Sequence, residues 1–484
     1  MTRGQRSSKA VDPIMLRARD TPAILTEDGD VVTHRALRTL VDAFTNRLSG
    51  GERRLVGLLG DRELGTVVAH LAAVRGGHAV AWFGAAGVPE RMRELVRRYA
   101  PEFLVGPAAT MTAVAEPLGY RLESFTPAPD VLVACAPQPS TVPIGTETSL
   151  LLLTSGSVSG GRGVRLSAGA IAANARGIRE TLEFDASSRG ATSLPLYYSY
   201  GLSILHSHLT AGGSVLLTSA PATGGGFWRR FDASGCQIFN GVPTHFEWLD
   251  RKSAPWQRVR KLRTVTCAGG PISRGLAERM HQRCTRIGAG FVKMYGQTEA
   301  TARISILRAE DFLAHPDSVG RVLPGSRVSF DAEGQLLYHG PSAMLGYCDG
   351  RADLAVPDQM QGTIHTGDVG HEADGYLHLT GRMARFIKPN GRRISLDSVE
   401  GAFAELAPAA AVGDTEEQAH VFMTAEYGPA LEAVRRELLD RLGLPPAAIS
   451  LHCVTELPRR SNGKLDYQRL VARVAAMAGE RQGE

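Results

Sequence analysis

Through the first three quarters of the chain, short apolar runs alternate with stretches in which apolar residues recur at helical spacing. Leu55 to Leu59 reads as a buried strand, Leu64 to Val74 as a helix, and Ala79 to Phe83 as the next strand. The cycle returns at Ser214 to Thr218 and Gln237 to Phe239, then at Thr264 to Cys267, after which a Pro271-led helix is expected. Strands that alternate with helices predict parallel crossovers and a layered α/β architecture. From Gln335 to Gly350 and from Gly362 to Leu379 the pattern changes to short alternating stretches rich in Gly, Tyr and His, which predicts a β-rich appendage.

After Gly381-Arg382 the pattern restarts with Phe386-Ile387-Lys388, a helix near Ser398 to Leu406, a helix from Pro429 to Leu442, and a terminal hairpin. A chain of 484 residues is too long for one core. We expect a boundary near residue 381, giving a large domain over 1–380 and a small one over 381–484.

Composition narrows the class. Apolar residues make up 43% and charged residues 21%, the balance of a water-soluble globular protein. The longest apolar candidates, such as Val67 to Phe83, are interrupted by His70, Arg75 and His78, so no membrane span is expected. Met1 to Arg19 is polar and basic without an apolar block, which argues against a secretory signal and points to the cytoplasm. Six scattered cysteines without a C-x-x-C pair suit reduced core thiols. A net charge of +5, with arginines interspersed among acids, gives no sign of nucleic-acid binding.

Three clusters carry candidate chemistry. Leu150 to Leu153 run into Thr154-Ser155-Gly156-Ser157 and on through Arg162-Gly163. A strand feeding a loop of hydroxyls and glycines offers backbone N–H groups to a polyphosphate. A flexible linker has the same composition, but this loop is bracketed by apolar runs, and it lacks the Gly-Lys-Ser/Thr of a Walker A loop. The second cluster, Tyr295-Gly296-Gln297-Thr298-Glu299, combines a ring that can stack on a base with a hydroxyl and with a carboxylate able to hold Mg²⁺. An ordinary strand-to-helix junction capped by Thr298 fits it equally. The third, Thr366-Gly367-Asp368 with Gly381-Arg382 further on, can present a carboxylate to ribose hydroxyls and an arginine to phosphate, or be no more than an Asx turn beside a surface arginine.

Near the far end the chain reads Asn462-Gly463-Lys464. Only six of its 54 basic side chains are lysines. A tight Asn-Gly turn can carry the following side chain on a hairpin tip, and a compact ammonium there can be delivered into a separate site.

In order and spacing these clusters resemble the adenylate-forming superfamily of acyl-CoA synthetases, carrier-protein ligases and peptide-synthetase adenylation domains. The resemblance runs from about Thr33 to Leu470. It also takes in Gly340-Pro341, Gly346-Tyr347, Ile387-Lys388, Gly391 and Arg393-Ile394. It implies a large N-terminal domain and a small mobile α+β C-terminal domain, with ATP and Mg²⁺ used to join a carboxylic acid to AMP and then to a pantetheine thiol. The catalytic residues it implies are Lys464, Thr298 and Glu299, with Glu299 holding the metal. Nucleotide binding falls to Thr154, Ser155, Gly156, Ser157, Arg162, Gly163, Gly269, Gly270, Pro271, Tyr295, Gly296, Asp368 and Arg382. The acid pocket draws on Tyr198, Ser199, Gly201, Val242, His245 and Gly269, within Tyr197 to Leu202, Asn240 to Phe246 and Cys267 to Gly270. Lys388 and Gly391 lie on the thiol's side. Six positions depart from the family pattern: Val158, Ser159, Gly161 and Arg162 replace its Thr, Gly, Pro and Lys in the loop, Ala384 stands at the hinge in place of Asp, and Ser398 replaces a frequent Glu.

No Asp lies in Ser199 to Leu202, where amino-acid-activating relatives hold an α-ammonium, so an aromatic or short aliphatic acid is expected. A β-amino acid held by Glu247 is the alternative. The compact stand-alone form resembles ligases that load an acyl carrier protein, which is the expected partner ahead of coenzyme A. A nucleotide-binding regulator without turnover, and a ligase that amidates its adenylate, are the competing readings.

Overall fold

The computed structural model describes residues 14, 18–48, 52–84, 87–125, 127–154, 162–251, 259–383, 385–389, 394–403, 406–413, 417–442, 444–459 and 465–481. Two large sheets organise the first 350 residues. An eight-stranded sheet has at its centre the parallel strands Phe103–Gly106, Leu55–Leu58, Ala79–Trp82 and Thr148–Leu153. A nine-stranded sheet carries Gly290–Tyr295, Thr264–Cys267, Ile238–Gly241, Arg189–Ala191, Ser214–Leu216 and Pro22–Leu25, all parallel.

The helices Leu64–Arg75 and Ser199–Ala211 are buried on nearly every side, the first mostly apolar and the second carrying serines and histidines inside, the signature of helices covered by layers on both faces. One core cluster joins Val56, Val80 and Leu150 of the first sheet to Ile24 and Val215 of the second, with Leu71 and Leu205 of these helices between them. His70 and His206 lock the two helices together through a 2.8 Å contact between their Nε2 atoms, while the Trp82 indole donates to His70 Nδ1. Both rings are fully buried, and burial holds His206 down at about 3 and His70 well below its ordinary value. The pair is therefore neutral at physiological pH.

The strands Arg327–Phe330, Gln335–His339, Thr363–Ala373 and Tyr376–Arg382 form a separate antiparallel sheet. Beyond it, Ala409–Gly413, Ala419–Met423 and Ile449–Cys453 make a three-stranded sheet with the helices Leu396–Phe403, Pro429–Leu442 and Tyr467–Arg481 around it. Their apolar residues form two small cores of their own.

Two sequence expectations need correction. The helix expected to start at Pro271 begins at Arg274, because Ser273 Oγ accepts from Leu276 N–H and caps it there. The stretch to Gly350 does not lie wholly in the appendage. Its strand Gly346–Cys348 joins the eight-stranded sheet instead, pairing with Gly163–Ser167.

Candidate active site

The parallel strands of the nine-stranded sheet present their carboxyl ends along one edge, and in an open α/β sheet the crevice outside those ends is the usual place for a ligand. At one side Tyr295, last residue of its strand, donates its hydroxyl to Asp368 Oδ2 at 2.6 Å. Asp368 and Arg382 stand opposite each other in the register of Thr363–Ala373 and Tyr376–Arg382, and Arg382 Nε reaches Asp368 Oδ1 at 2.8 Å. Gly367, at φ +73°, supplies the left-handed turn before Asp368, and Thr366 Oγ1 accepts the Asp368 N–H. The carboxylate is buried while the Arg382 side chain is 60% exposed. Burial, then the neighbouring carboxylate, raises the Tyr295 phenol well above its ordinary value, so it remains a donor.

Thr298 and Glu299 follow in a single 3-10 turn whose first residues carry no side-chain cap. Thr298 Oγ1 lies 3.2 Å from Ser199 Oγ, which ties the turn to the first residue of the helix Ser199–Ala211. Tyr347 donates to Glu299 Oε1 at 3.1 Å, and the Arg162 guanidinium sits 4.3 Å above the Tyr347 ring. Burial and the adjacent carboxylate push the Tyr347 phenol up to about 12. Thr154 and Arg162 close the base of the glycine hairpin, where Thr154 N–H and Oγ1 both donate to the Arg162 carbonyl. Gly163 pairs with Leu153 and Cys348 in the strands below. Ser155, Gly156 and Ser157 lie outside the described residues.

Among the described residues no group of three His, Cys, Asp or Glu side chains could cage a metal. A lone half-buried Glu299 whose Oε2 has no hydrogen-bond partner among them suits Mg²⁺, which takes one or two carboxylates and fills its remaining positions with phosphate and water.

The other side of the crevice is formed by residues after Ile238–Gly241 and Thr264–Cys267 and by the start of the helix Ser199–Ala211. Gly269 adopts φ +90°, and a Cβ there would stand 2.7 Å from Tyr198 Oη, so glycine is what lets the tyrosine close on this turn. Gly270 and Pro271 are exposed beside it. Gly201 is packed against the chain before its helix, where a Cβ would meet the Pro195 carbonyl at 2.0 Å. Val242 is buried, and His245 keeps Nδ1 without a partner while burial holds its imidazole down at about 4.

A polar row runs beneath these residues. Tyr200 Oη lies 2.7 Å from Thr266 Oγ1, which donates to Asn240 Oδ1 at 2.8 Å. Asn240 and Thr266 are paired in register, so both side chains lie on the sheet face that the helix Ser199–Ala211 covers.

Lys388 is half-buried near the Phe386 ring, at 5.3 Å. Gly391, Ala384 and Lys464 lie outside the described residues. The base of the terminal hairpin is described: Arg459 bridges to Leu465 across it, and Arg459 Nη2 donates to Glu247 Oε2 at 2.9 Å on the helix Pro243–Arg251. Glu247, the alternative holder of a β-amino group, is thus engaged by the C-terminal segment.

No helix among the described residues is long and apolar enough to cross a membrane. The profile of the family described as AMP-binding enzyme matches residues 15–348. A probable CoA ligase of Humulus lupulus is 28% identical over 429 residues, 81% of each chain. Among solved structures, o-succinylbenzoate coenzyme A synthetase of Bacillus subtilis in complex with ATP and magnesium aligns at a TM-score of 0.74 and 19% identity, over 94% of this chain and 98% of that one. The amide bond synthetase of Marinactinospora thermotolerans aligns at 0.77 and 20% identity, over 96% and 98%. A shared mixed α/β fold with a large N-terminal and a smaller C-terminal part, and a family profile that spans most of the chain, place this protein in the AMP-binding enzyme family.

Proposed function

We propose that the protein is an AMP-forming acid–thiol ligase that activates a carboxylic acid with ATP and passes the acyl group to a pantetheine thiol. A substrate carboxylate oxygen attacks the α-phosphorus, the bond to the β-phosphate oxygen breaks, and pyrophosphate leaves. The thiol sulfur then attacks the acyl carbon, AMP departs, and the thiol's proton goes to solvent. The observation that carries this reading is the shared crevice: Tyr295, Asp368, Thr298 and Glu299 lie along one side of it and the Tyr198–Gly269 wall along the other, joined by the Ser199–Thr298 contact.

Two anions must meet at phosphorus, so the main task is electrostatic. Asp368 suits ribose hydroxyls as an acceptor, and Arg382 beside it suits phosphate. The hairpin closed by Thr154 and Arg162 faces the β and γ phosphates in this reading. Mg²⁺, held through Glu299, supplies charge neutralisation on the phosphates. Lys464 is assigned to the carboxylate and α-phosphate. Contact between Arg459 and Glu247 supports that role, because it docks the base of the same hairpin on the acid-pocket helix. The hinge near residue 381 divides 1–380 from the lobe that brings this lysine.

The acid lacks an α-ammonium, since no Asp stands in Ser199 to Leu202. For the acceptor, the CoA ligase among its relatives supports coenzyme A ahead of a carrier protein. Both present the same pantetheine thiol, and we take coenzyme A as the first to test. Acid-dependent exchange of labelled pyrophosphate into ATP tests the first step, and absence of exchange with every acid class would overturn the reading. Thioester mass measured with coenzyme A, with a phosphopantetheinylated carrier protein and with free amines then separates the acceptors.

A further inference from the structure

The chain buries three arginines in this part of the molecule, and it treats them differently. Arg165 spends its guanidinium on the carbonyls of Tyr347, Leu345, Val356 and Pro357 and on Gln359 Oε1. Arg351 pairs with Glu102 at 2.7 Å, and both side chains are under a tenth exposed. Arg303, 4% exposed, has much less. Its Nη1 donates to the carbonyl of its own neighbour Ala302, its Nε points at the Met294 thioether, and its plane lies 3.8 Å over the Tyr200 ring. Among the described residues no carboxylate pairs with it, and the Tyr200 hydroxyl is the one further side-chain partner it has.

A buried cation without a counter-charge is costly to keep. A donor in the same row is unmatched. Asn240 is 4% exposed, its Oδ1 is taken by Thr266, and its Nδ2 has no partner. With the amide so oriented, Thr266 Oγ1 donates to Asn240 Oδ1, the Tyr200 hydroxyl lies 2.7 Å from Thr266 Oγ1 and 3.2 Å from the Thr266 carbonyl, and the amide N–H groups are left over. Both groups belong to the Tyr200–Thr266–Asn240 row under the acid side of the crevice. An aliphatic or plain aromatic acid would leave them unsatisfied.

Resting on the activity proposed above, we infer that the acid carries a second carboxylate, remote from the one activated, which pairs with Arg303 and accepts from Asn240 Nδ2. The guanidinium offers a planar fork to that carboxylate. The stacked Tyr200 ring holds the fork from behind.

The test needs no variant at first. Aliphatic and aromatic dicarboxylic acids of graded length are compared with their monomethyl esters by pyrophosphate release in the presence of ATP and Mg²⁺. For the best diacid, kcat/KM should exceed that of its half-ester on the order of 10²-fold, the scale of a buried charge pair. Arg303→Met should collapse that ratio, Arg303→Lys should restore part of it, and Asn240→Asp should invert it by setting a carboxylate against the second anion. If half-esters or monoacids serve the wild-type enzyme as well as diacids do, this inference fails and the ligase reading stands. If no acid releases pyrophosphate, both fail. Should Arg303→Met not fold, the wild-type ratio and Asn240→Asp still discriminate.

Discussion

The two sides of the crevice handle polarity in opposite ways. On the nucleotide side the aromatic hydroxyls already hold the carboxylates: Tyr295 and Arg382 share Asp368, and Tyr347 holds one oxygen of Glu299. On the acid side, among the described residues, a donor is left over at Asn240 and the Arg303 cation lacks a paired carboxylate. A ligand on the first side must trade one hydrogen bond for another, whereas a ligand on the second supplies bonds the protein lacks. The first arrangement pre-organises a site for a common ligand; the second makes a site that only the right ligand satisfies.

Acid should strain the contrast most. His206, at about 3, with His208 and His245, both at about 4, all belong to the acid side or its helix. Below about 6.5 the unfolded chain takes up protons that these buried rings refuse. Stability therefore falls as pH drops from about 6.5 toward 4, by up to about 1.4 kcal/mol per pH unit for each imidazole. Urea midpoints at pH 7 and pH 5 measure this, and a flat profile would mean the rings are hydrated.

Next in size, Lys464→Ala should lower acid-dependent pyrophosphate exchange by about 10²- to 10³-fold while ATP and acid binding by calorimetry persist, since neither wall is altered. Near-normal exchange would remove the lysine from the reaction. On the nucleotide wall, Asp368→Ala should raise the KM for ATP by about 10- to 100-fold and leave the acid KM closer to wild type. Equal changes in both constants would erase the distinction between the two sides. The smallest expected effect is that of Tyr200→Phe, which loses the Thr266 hydrogen bond at a cost of about 1 kcal/mol in stability, read as a lowered melting temperature.

How far this was legible in the sequence depended on the range of the forces involved. Thr264–Cys267 and Pro429–Leu442 coincide with their expected bounds, because an apolar run and a helical period are local signals. The edge strand Gly346–Cys348 was assigned to the wrong sheet, since its partner lies some 180 residues earlier and no local pattern reveals a long-range pairing. At Ser273 a capping residue marked the true helix start, but the conspicuous proline before it drew the boundary too early. On the site, Asp368 and Tyr295 were legible from their motifs. Arg303 was not, although it left a trace: a single charge inside the run Ala302 to Leu307, where a solvated arginine has no place.

The bond between Asp368 and Arg382 closes the last register pair before the chain leaves for its smaller lobe. A ribose that claims Asp368 must take it from that arginine, and so loosens the strand's final residue in the act of docking. Linkage then runs in both directions: any posture of the lobe that pulls Arg382 away tightens the hold on nucleotide by the same factor. In the proposed reading the pivot and the sugar site would compete for one carboxylate, and that competition would give the enzyme a way to time its turn.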